Sequence, residues 1–370
     1  MRIGIITFHR AYNCGAMLQA WALYITLKKL GHEVQFLESN ELGRIVPCSP
    51  WSCRKKNAPF IWRVRSAVYR LLQTLIGKVE GVKTGVLYDK FREQYLPESD
   101  CPVDAIEGRF DAVIIGSDQV LNPSINGWTS YFIGEGISDR TPKIMYAGSA
   151  GDCVLPISTK EHIDAVLSRF CAVSVREPYN AYEVVLDPTL LLRADDYAPL
   201  YPSRDPNRIN EPFIFVYTCT CSDFEISLSR AVARELNLRL VISNPWGRYL
   251  RKDVREMVDW MSPSLMLKYI NESQCVIAGS FHATVLSVLF NKPVVSVSPH
   301  VNGNESRSAA FLRRCGLEAR MVDPNTEIQE VVRQLTSPIC SDINKWLGSN
   351  RAKSLHWLVS ALRKCGEKHD

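Results

Sequence analysis

The chain has 370 residues, 46% of them apolar, and a formal net charge of +5 at pH 7. This length and composition predict a globular protein of enzyme size, with a core large enough for two domains. The N-terminus lacks the apolar core of a signal peptide and no apolar run reaches membrane-spanning length, so we expect a cytoplasmic protein. The twelve cysteines lack paired metal-ligand spacing, which favours reduced thiols over disulfides or a zinc site.

The first segment of the chain predicts a strand-helix-strand unit. Residues 3–7 are apolar and β-branched, residues 15–30 show helical periodicity, and residues 34–37 are apolar again. Short apolar runs that suit buried parallel strands follow at 110–116, 144–147, 172–175 and 184–186. Together these elements indicate an α/β fold with a parallel sheet.

A basic helical insertion, about residues 54–95, interrupts this unit. Residues 54–92 contain ten lysines or arginines against Glu80 and Asp89, and apolar residues recur at helical spacing from Ile61 to Val79. One interpretation is a core-facing helix with a solvated basic face. The other is a surface that contacts an acidic glycan, a lipid-linked diphosphate or the inner face of the membrane. No recognised binding motif accompanies the charge, so no nucleic acid partner is expected.

A second α/β unit is predicted beyond a polar segment. Residues 193–212 are rich in Pro, Asp, Asn and Arg and lack periodicity, which indicates a domain boundary. Strands are predicted after it at 213–217, 240–243 and 294–297, and helices at 224–236 and 342–364. We therefore expect an N-terminal domain over 1–200, a C-terminal domain over 201–340 and a closing helix over 341–370.

The stretch 275–284 predicts an anion-binding site. A short apolar run ends at Gly279 and is followed by an amphipathic helix that carries His282 in its first turn. The backbone N–H groups of Gly279, Ser280 and Phe281 would lack helical partners at the positive end of the helix dipole, where phosphate or carboxylate binds. The alternative is that Ser280 only caps the helix.

An ordered set of motifs runs along nearly the whole chain. The motifs are residues 5–10 with 13–20 and 31–34, residues 110–119, residues 174–177, residues 186–191, residues 279–284, and residues 291–293 with 306–307 and 317–320. Taken together, they resemble the polysaccharide pyruvyl transferase family. The resemblance implies two Rossmann-like halves facing across a cleft, as in GT-B glycosyltransferases, with the acceptor on the N-terminal side and the donor bound by the C-terminal half.

The resemblance also implies a reaction. The pyruvyl unit of phosphoenolpyruvate would be moved onto a hydroxyl pair of a glycan or lipid-linked sugar, forming a cyclic ketal and releasing phosphate, in bacterial surface polysaccharide biosynthesis. Phosphoenolpyruvate would be the donor substrate, with no separate cofactor and no metal. Two other functions stay open: a GT-B glycosyltransferase that uses a nucleotide sugar, and a non-catalytic glycan-binding member of the family.

This chemistry requires an acid, a base and cations. His282 suits the acid, because an imidazole that titrates near pH ~6.5 can carry a proton to carbon. Arg176 follows the apolar run 172–175 and would hold carboxylate or phosphate by its planar fork. An ion pair with Glu177 or Asp187 is the alternative role for this arginine.

The other donor-side candidates are Arg307, as a second cation, and Ser280 and Ser306, as neutral hydrogen-bond donors. Several members of the family carry an arginine at the position of Ser280, so that charge would have to come here from Arg307 or Lys292. Further arginines are expected to be solvated helix or loop charges: Arg313, Arg314 and Arg320.

Two N-terminal loops supply the acceptor-side candidates, and both are expected to face the cleft. The first strand-to-helix turn contributes Asn13, Gly15 and Gln19, and the loop after residue 116 contributes Ser117, Asp118 and Gln119. Asp118 is a candidate base for an acceptor hydroxyl, or else a helix cap. His9 is either a cleft histidine or one that stabilises its own turn.

Overall fold

The computed structural model describes residues 1–37, 81–101, 105–125, 128–202, 209–243, 253–258, 261–297, 300–301 and 304–367. The predicted apolar stripe from Ile61 to Val79 lies outside these residues, as does most of the basic segment 54–92. Within the described ranges, no helix combines the length and the apolar character needed to cross a membrane.

The first unit of the chain is built on a parallel sheet. Its elements are β1 (Arg2–Ile6), α1 (Cys14–Lys29), β2 (Glu33–Phe36), α2 (Gly81–Tyr95), β3 (Ala112–Ile115), β4 (Lys143–Gly148), α3 (Ile157–Leu167), β5 (Ala172–Val175) and β6 (Glu183–Val184). Among the described residues the six strands lie in the order β2-β1-β3-β4-β5-β6, and every pair is parallel. Each of the strands predicted from the sequence in this region is present, close to its predicted limits.

The second unit carries a smaller parallel sheet. Its elements are β7 (Phe213–Tyr217), α4 (Asp223–Leu236), β8 (Arg239–Ser243), α5 (Pro263–Glu272), β9 (Cys275–Ala278), α6 (Phe281–Leu289), β10 (Val294–Ser296), β11 (His300–Val301), β12 (Asn304–Glu305), α7 (Arg307–Arg314), α8 (Ile328–Thr336) and α9 (Asp342–Gly366). In the described ranges, the parallel strands lie in the order β10-β9-β7-β8. Two Rossmann-like halves are therefore present, as the sequence predicted.

Helix α1 is buried on nearly all sides because both units pack against it. Trp21 of this helix contacts the ring of Tyr197, with ring centroids 5.3 Å apart, and Tyr197 in turn lies 5.8 Å from Phe290 at the end of α6. These side chains belong to one hydrophobic cluster that extends from the first sheet to the second. The two halves thus share a core, and the face of each half at their junction is fixed by apolar packing.

The C-terminal helix α9 packs on the first unit. Arg351 donates to the carbonyl oxygens of Leu190 and Leu192, at 2.8 and 3.0 Å, and Ser354 Oγ accepts from the N–H of Leu186 at 3.0 Å. The chain therefore crosses back from the second half to the first. The segment 186–192, which follows the predicted anion-binding arginine by ten residues, is held by this helix.

The loop after β1 is anchored by a buried histidine and a carboxylate. His9 is 1% exposed, accepts or donates at Nδ1 with the carbonyl of Thr7 at 3.1 Å, and places Nε2 3.1 Å from Glu98. Arg10 donates to the same carboxylate through Nε at 2.8 Å and Nη2 at 2.5 Å. Although burial raises it, interactions with His9 and Arg10 lower the pKa of Glu98 to about 2. His9 therefore stabilises its turn, one of the two roles that the sequence left open.

Replacing Glu98 with Gln tests this anchor. A carboxylate whose pKa falls on folding stabilises the fold fully above its unfolded pKa and progressively less as the pH falls through the folded one. We expect Glu98→Gln to lower the free energy of unfolding by roughly 2 kcal/mol at pH 7, and by less and less between pH 4.5 and about 2. Denaturant unfolding from neutral pH downward measures the difference. Glu161→Gln, at an exposed position of α3, is the control, and an equal effect of both variants at every pH would contradict the assignment.

Candidate functional site

The N-terminus of α6 meets the first unit where Gly15 contacts His282. A methyl group on Gly15 would lie 2.2 Å from Nδ1 of the imidazole and 2.5 Å from its Cγ, so a glycine is required for this close approach. Only 8% of the His282 side chain is exposed. The imidazole is therefore buried where the two halves meet, and its catalytic role stays a prediction.

Asp187 is the carboxylate that this histidine faces. It lies directly before the short 3-10 helix Pro188–Leu190, where its Oδ1 accepts from the N–H and the hydroxyl of Thr189 at 3.0 and 2.7 Å. Its Oδ2 lies 3.6 Å from His282 Nε2 and accepts from Arg176 Nη1 at 2.9 Å. Burial raises the pKa of Asp187, but His282 and Arg176 together hold it well below its usual range. The carboxylate therefore stays ionised and orients both groups.

Arg176 lies at the end of β5 and forms both of the ion pairs that the sequence offered as its alternative role. Nε donates to Glu177 at 2.8 Å, and Nη1 donates to Asp187 at 2.9 Å. The guanidinium also stacks over the ring of Phe281, 4.3 Å from the centroid. Burial opposes its charge, but the surrounding carboxylates raise the pKa of Arg176 above its ordinary value. An anion that binds here joins an existing charge network.

Arg307 connects the second half to the loop after β3. Its Nη1 lies 3.6 Å from Asp118 Oδ1, and its Nε lies 3.8 Å from Asp152. With the amide of Gln119 oriented so that its oxygen faces this guanidinium, that oxygen accepts from Nη2 at 3.1 Å. Asp118 also lies 3.7 Å from Arg176 Nη2. The structure thus brings together predicted residues of both sides: Asp118 and Gln119 with Arg176 and Arg307.

A pocket opens beside this network. It is lined by charged side chains and by the apolar residues that support them: Arg176, Glu177, Pro178, Val185, Leu186, Asp187, Leu190, Phe281, Arg307, Ala310, Phe311 and Arg314. Three buried polar atoms of its lining have no hydrogen-bond partner among the described residues: Arg176 Nη2, Glu177 Oε2 and Arg307 Nε. The same holds for His282 Nε2, which does not line the pocket but faces Asp187 in its lining. Buried polar groups are rarely left unpaired, so this concentration indicates a place for a polar ligand or ordered water.

The helix N-termini differ in part from the sequence prediction. The N–H of Gly279 is not free: it donates to the carbonyl oxygen of Tyr217 at 2.7 Å, because the sheet ladder extends one residue beyond β9. A methyl group on Gly279 would lie 2.6 Å from Glu225 Oε1, which accounts for the glycine by packing. Ser280 and Ser306 cap α6 and α7, each accepting at Oγ from an N–H three residues on, at 3.2 Å. Phe281 supports the guanidinium of Arg176, and a donor-binding role of the serines stays a prediction.

The predicted acceptor-side residues divide into buried and exposed ones. Gln19 is fully buried and donates to Thr7 Oγ1 at 2.8 Å, so it joins α1 to the end of β1 and does not face the cleft as expected. Ser117 is also fully buried and donates to the carbonyl oxygen of Ala147 at 2.8 Å. Asn13 caps α1 and is exposed. Of these three, only Asn13 is accessible to an acceptor.

Two further arginines and a lysine are placed differently from expectation. Arg314 borders the pocket and donates to the carbonyl oxygen of Arg176 at 3.2 Å, and Arg320 is buried against four carbonyl groups; neither is the solvated charge that was predicted. Arg313 is exposed, as expected. Lys292 donates to the carbonyl of Ser273 and does not line the pocket, so it does not replace the charge missing at Ser280.

Sequence reasoning named Asp187 only as an alternative ion-pair partner of Arg176 and assigned no role in the site to Arg314, although each has a signal in the sequence. Asp187 precedes a proline and a threonine, a pattern typical of a carboxylate that caps a helical turn. Arg307 and Arg314 are seven residues apart with Ala310 and Phe311 between them, which is one face of a helix. That face is the one that lines the pocket.

Two parallel α/β halves that share a core, with a charged pocket where their strand ends meet, define a protein with a GT-B-like fold. Solved structures share this fold. The S. aureus MnaA–UDP co-structure matches with a TM-score of 0.50 and 10% identity, over 90% of this chain and 86% of that one. The Methanocaldococcus jannaschii UDP-GlcNAc 2-epimerase in complex with UDP-GlcNAc and UDP matches with a TM-score of 0.50 and 7% identity, over 91% and 93%. At such low identity the likeness shows the fold alone.

The family is shown by the sequence. The model of the family described as polysaccharide pyruvyl transferase matches residues 13–301, and the chain belongs to that family. The protein is accordingly a transferase that modifies glycans. A comparison with curated protein sequences gives no match.

The contact between Gly15 and His282 can be tested with a pair of glycine variants. Gly15→Ala places a methyl group 2.2 Å from the imidazole, and we expect it to lower the free energy of unfolding by about 1–3 kcal/mol through overpacking. Gly348 lies within α9, and a methyl group added there would have no neighbouring atom within 4 Å. Gly348→Ala is therefore expected to raise the free energy of unfolding by about 0.5–1 kcal/mol. Chemical denaturation compares the two, and a stabilising Gly15→Ala would show that the imidazole is not held there.

The role of Asp187 as the shared partner of Arg176 and His282 predicts a large effect of Asp187→Asn. The amide can still cap the turn but leaves the buried guanidinium of Arg176 without this counter-charge and His282 without its facing carboxylate, so we expect a loss of roughly 3 kcal/mol in the free energy of unfolding. Asp195→Asn, at an exposed position, is the matched control. A loss no larger than that of the control, measured by denaturant unfolding at pH 7, would contradict the assignment.

Proposed function

We propose that this protein transfers the pyruvyl group of phosphoenolpyruvate to a hydroxyl pair of a glycan or lipid-linked sugar, forming a cyclic ketal and releasing phosphate. The donor is a substrate, and no separate cofactor enters the proposal. The observation that carries it is a set of buried polar atoms without hydrogen-bond partners: those of Arg176 and Arg307, which line one pocket, and Nε2 of His282, which faces Asp187 in the lining of that pocket. Two guanidinium groups and an imidazole are what a small donor with two anionic groups and a protonatable carbon requires.

In the proposed reaction His282 gives a proton to the terminal enol carbon, which becomes the methyl group. A sugar hydroxyl then attacks the neighbouring carbon, and the phosphate leaves with the electron pair of its bond to that carbon. The second hydroxyl attacks the same carbon and closes the ring. The two hydroxyl protons balance the sum: one restores the imidazole and the other leaves with the phosphate.

The proposed roles follow from position and charge. His282 Nε2 lies 3.6 Å from Asp187, which orients the imidazole that would deliver the proton. Arg176 and Arg307 flank the ring of Phe281 at 4.3 and 5.8 Å and would bind the anionic groups. Asp118 lies within 3.7 Å of both guanidinium groups, and would accept the proton of the attacking hydroxyl and pass it to the departing phosphate.

The release of inorganic phosphate from phosphoenolpyruvate, with and without glycan acceptors, tests the proposal. We expect release that depends on the acceptor, and a kcat lowered roughly 10²–10⁴-fold in His282→Gln because a general acid is lost. His162→Gln, an exposed histidine that pairs with Glu135, is the control and should retain activity. Turnover of a nucleotide sugar without turnover of phosphoenolpyruvate would instead identify a glycosyltransferase. Glycan binding that survives His282→Ala, with no turnover of any donor, would identify a binding protein.

A further inference from the structure

The arginines around the pocket differ in how their charges are balanced. Arg176 is paired with two carboxylates, Glu177 at 2.8 Å and Asp187 at 2.9 Å. The guanidinium of Arg307 has Asp118 and Asp152 within 3.8 Å. The backbone N–H of Arg307 also donates to Asp152 Oδ1, at 3.0 Å. Each of these cations already has anionic partners in the protein.

Arg314 has none at ion-pair distance within the part of the chain that the structure describes. Its hydrogen bond there runs from Nη1 to the carbonyl oxygen of Arg176 at 3.2 Å. Burial lowers the pKa of Arg314, and Glu177 only partly offsets this from farther away. A guanidinium has five N–H donors, so this hydrogen bond leaves others able to bind an anion from the pocket that Arg314 lines.

The position of Arg314 directs it to the same ligand as the other two arginines. Arg307 and Arg314 begin and end helix α7 and line one pocket, with about 10 Å of helix between them. Arg314 is fixed to the backbone of Arg176, whose guanidinium covers Phe281 in the same pocket. The two arginines at the ends of this helix could therefore bind the two anionic groups of one donor.

We propose that Arg314 is the principal anchor for an oxyanion of the donor, phosphate or carboxylate, and that Arg176 and Arg307, which already have carboxylate partners, contribute less to the affinity for it. This inference rests on the proposed function for the identity of the donor. This proposal differs from one in which Arg176 is the main ligand of the donor anion. An arginine without a carboxylate partner is stabilised more by a bound anion than one that already has such a partner. The guanidinium fork would bind two oxygens of the anion at once.

The test measures the affinity of the full-length protein for phosphoenolpyruvate by calorimetry, comparing Arg314→Gln with the wild type. We expect the dissociation constant to rise about tenfold to a hundredfold, the effect of losing charge-assisted hydrogen bonds. Arg313→Gln removes the same charge from the adjacent, exposed position of the helix and is expected to change the dissociation constant less than about twofold. Phosphoenolpyruvate should also raise the melting temperature of the wild type more than that of Arg314→Gln.

Inorganic phosphate and pyruvate serve as separate probes of the two anionic groups, and Arg314 holds the group whose probe loses affinity in Arg314→Gln. An unchanged dissociation constant for phosphoenolpyruvate in this variant would overturn the assignment and leave the proposed function intact. A wild type that binds phosphate through Arg314 but not phosphoenolpyruvate would overturn the proposed function and keep the anion site; a wild type that binds none of these anions would overturn both.

A conservative variant keeps the test decisive if Arg314→Gln does not fold. Arg314→Lys retains the charge but loses the planar fork. We expect it to bind phosphoenolpyruvate more weakly than the wild type with a melting temperature close to that of the wild type. Equal affinity in a folded Arg314→Lys would show that the fork does not contact the donor and would overturn the proposal.

Discussion

The site depends on the contacts of one buried carboxylate, that of Asp187, with Arg176 and His282. This carboxylate accepts from Arg176, faces His282 at 3.6 Å and is itself held by Thr189. Removing such charges from water is costly unless every member is paired, so the network has little freedom to rearrange. It joins the end of a strand in the first half to the start of a helix in the second. The same contacts therefore position the catalytic candidates and join the two halves.

The packing around this network explains how it is held in register. Helix α1 is buried by both halves, and its first turn reaches the imidazole at Gly15 without a side chain between them. Gly279, directly after β9, likewise allows a close approach to Glu225, whose Oε1 would lie 2.6 Å from an added methyl group. These contacts come from residues without side chains, so the distances are set by the backbone and by the shared core.

Charges of both signs surround the pocket. The carboxylates of Asp118, Glu177 and Asp187 already compensate Arg176 and Arg307. Arg314 has a neutral carbonyl as its hydrogen-bond partner in the described ranges, and in the proposed function it is the charge that an anionic donor would balance. The exposed Asn13 lies at the start of α1, two residues before the glycine that contacts His282.

The sequence by itself determined the alternation of strands and helices, the two halves and the family, because periodicity and short motifs are local properties of the chain. It also located the ends of β3, β5 and β9, where Asp118, Arg176 and His282 lie. It did not predict helices such as α5 and α8, and it took Gln19 for a cleft residue and Arg314 for a solvated one. Only the tertiary structure decided which charges are paired, since Arg314 meets the backbone of Arg176 across 138 residues of chain. Burial and pairing depend on such distant contacts, and no local pattern encodes them.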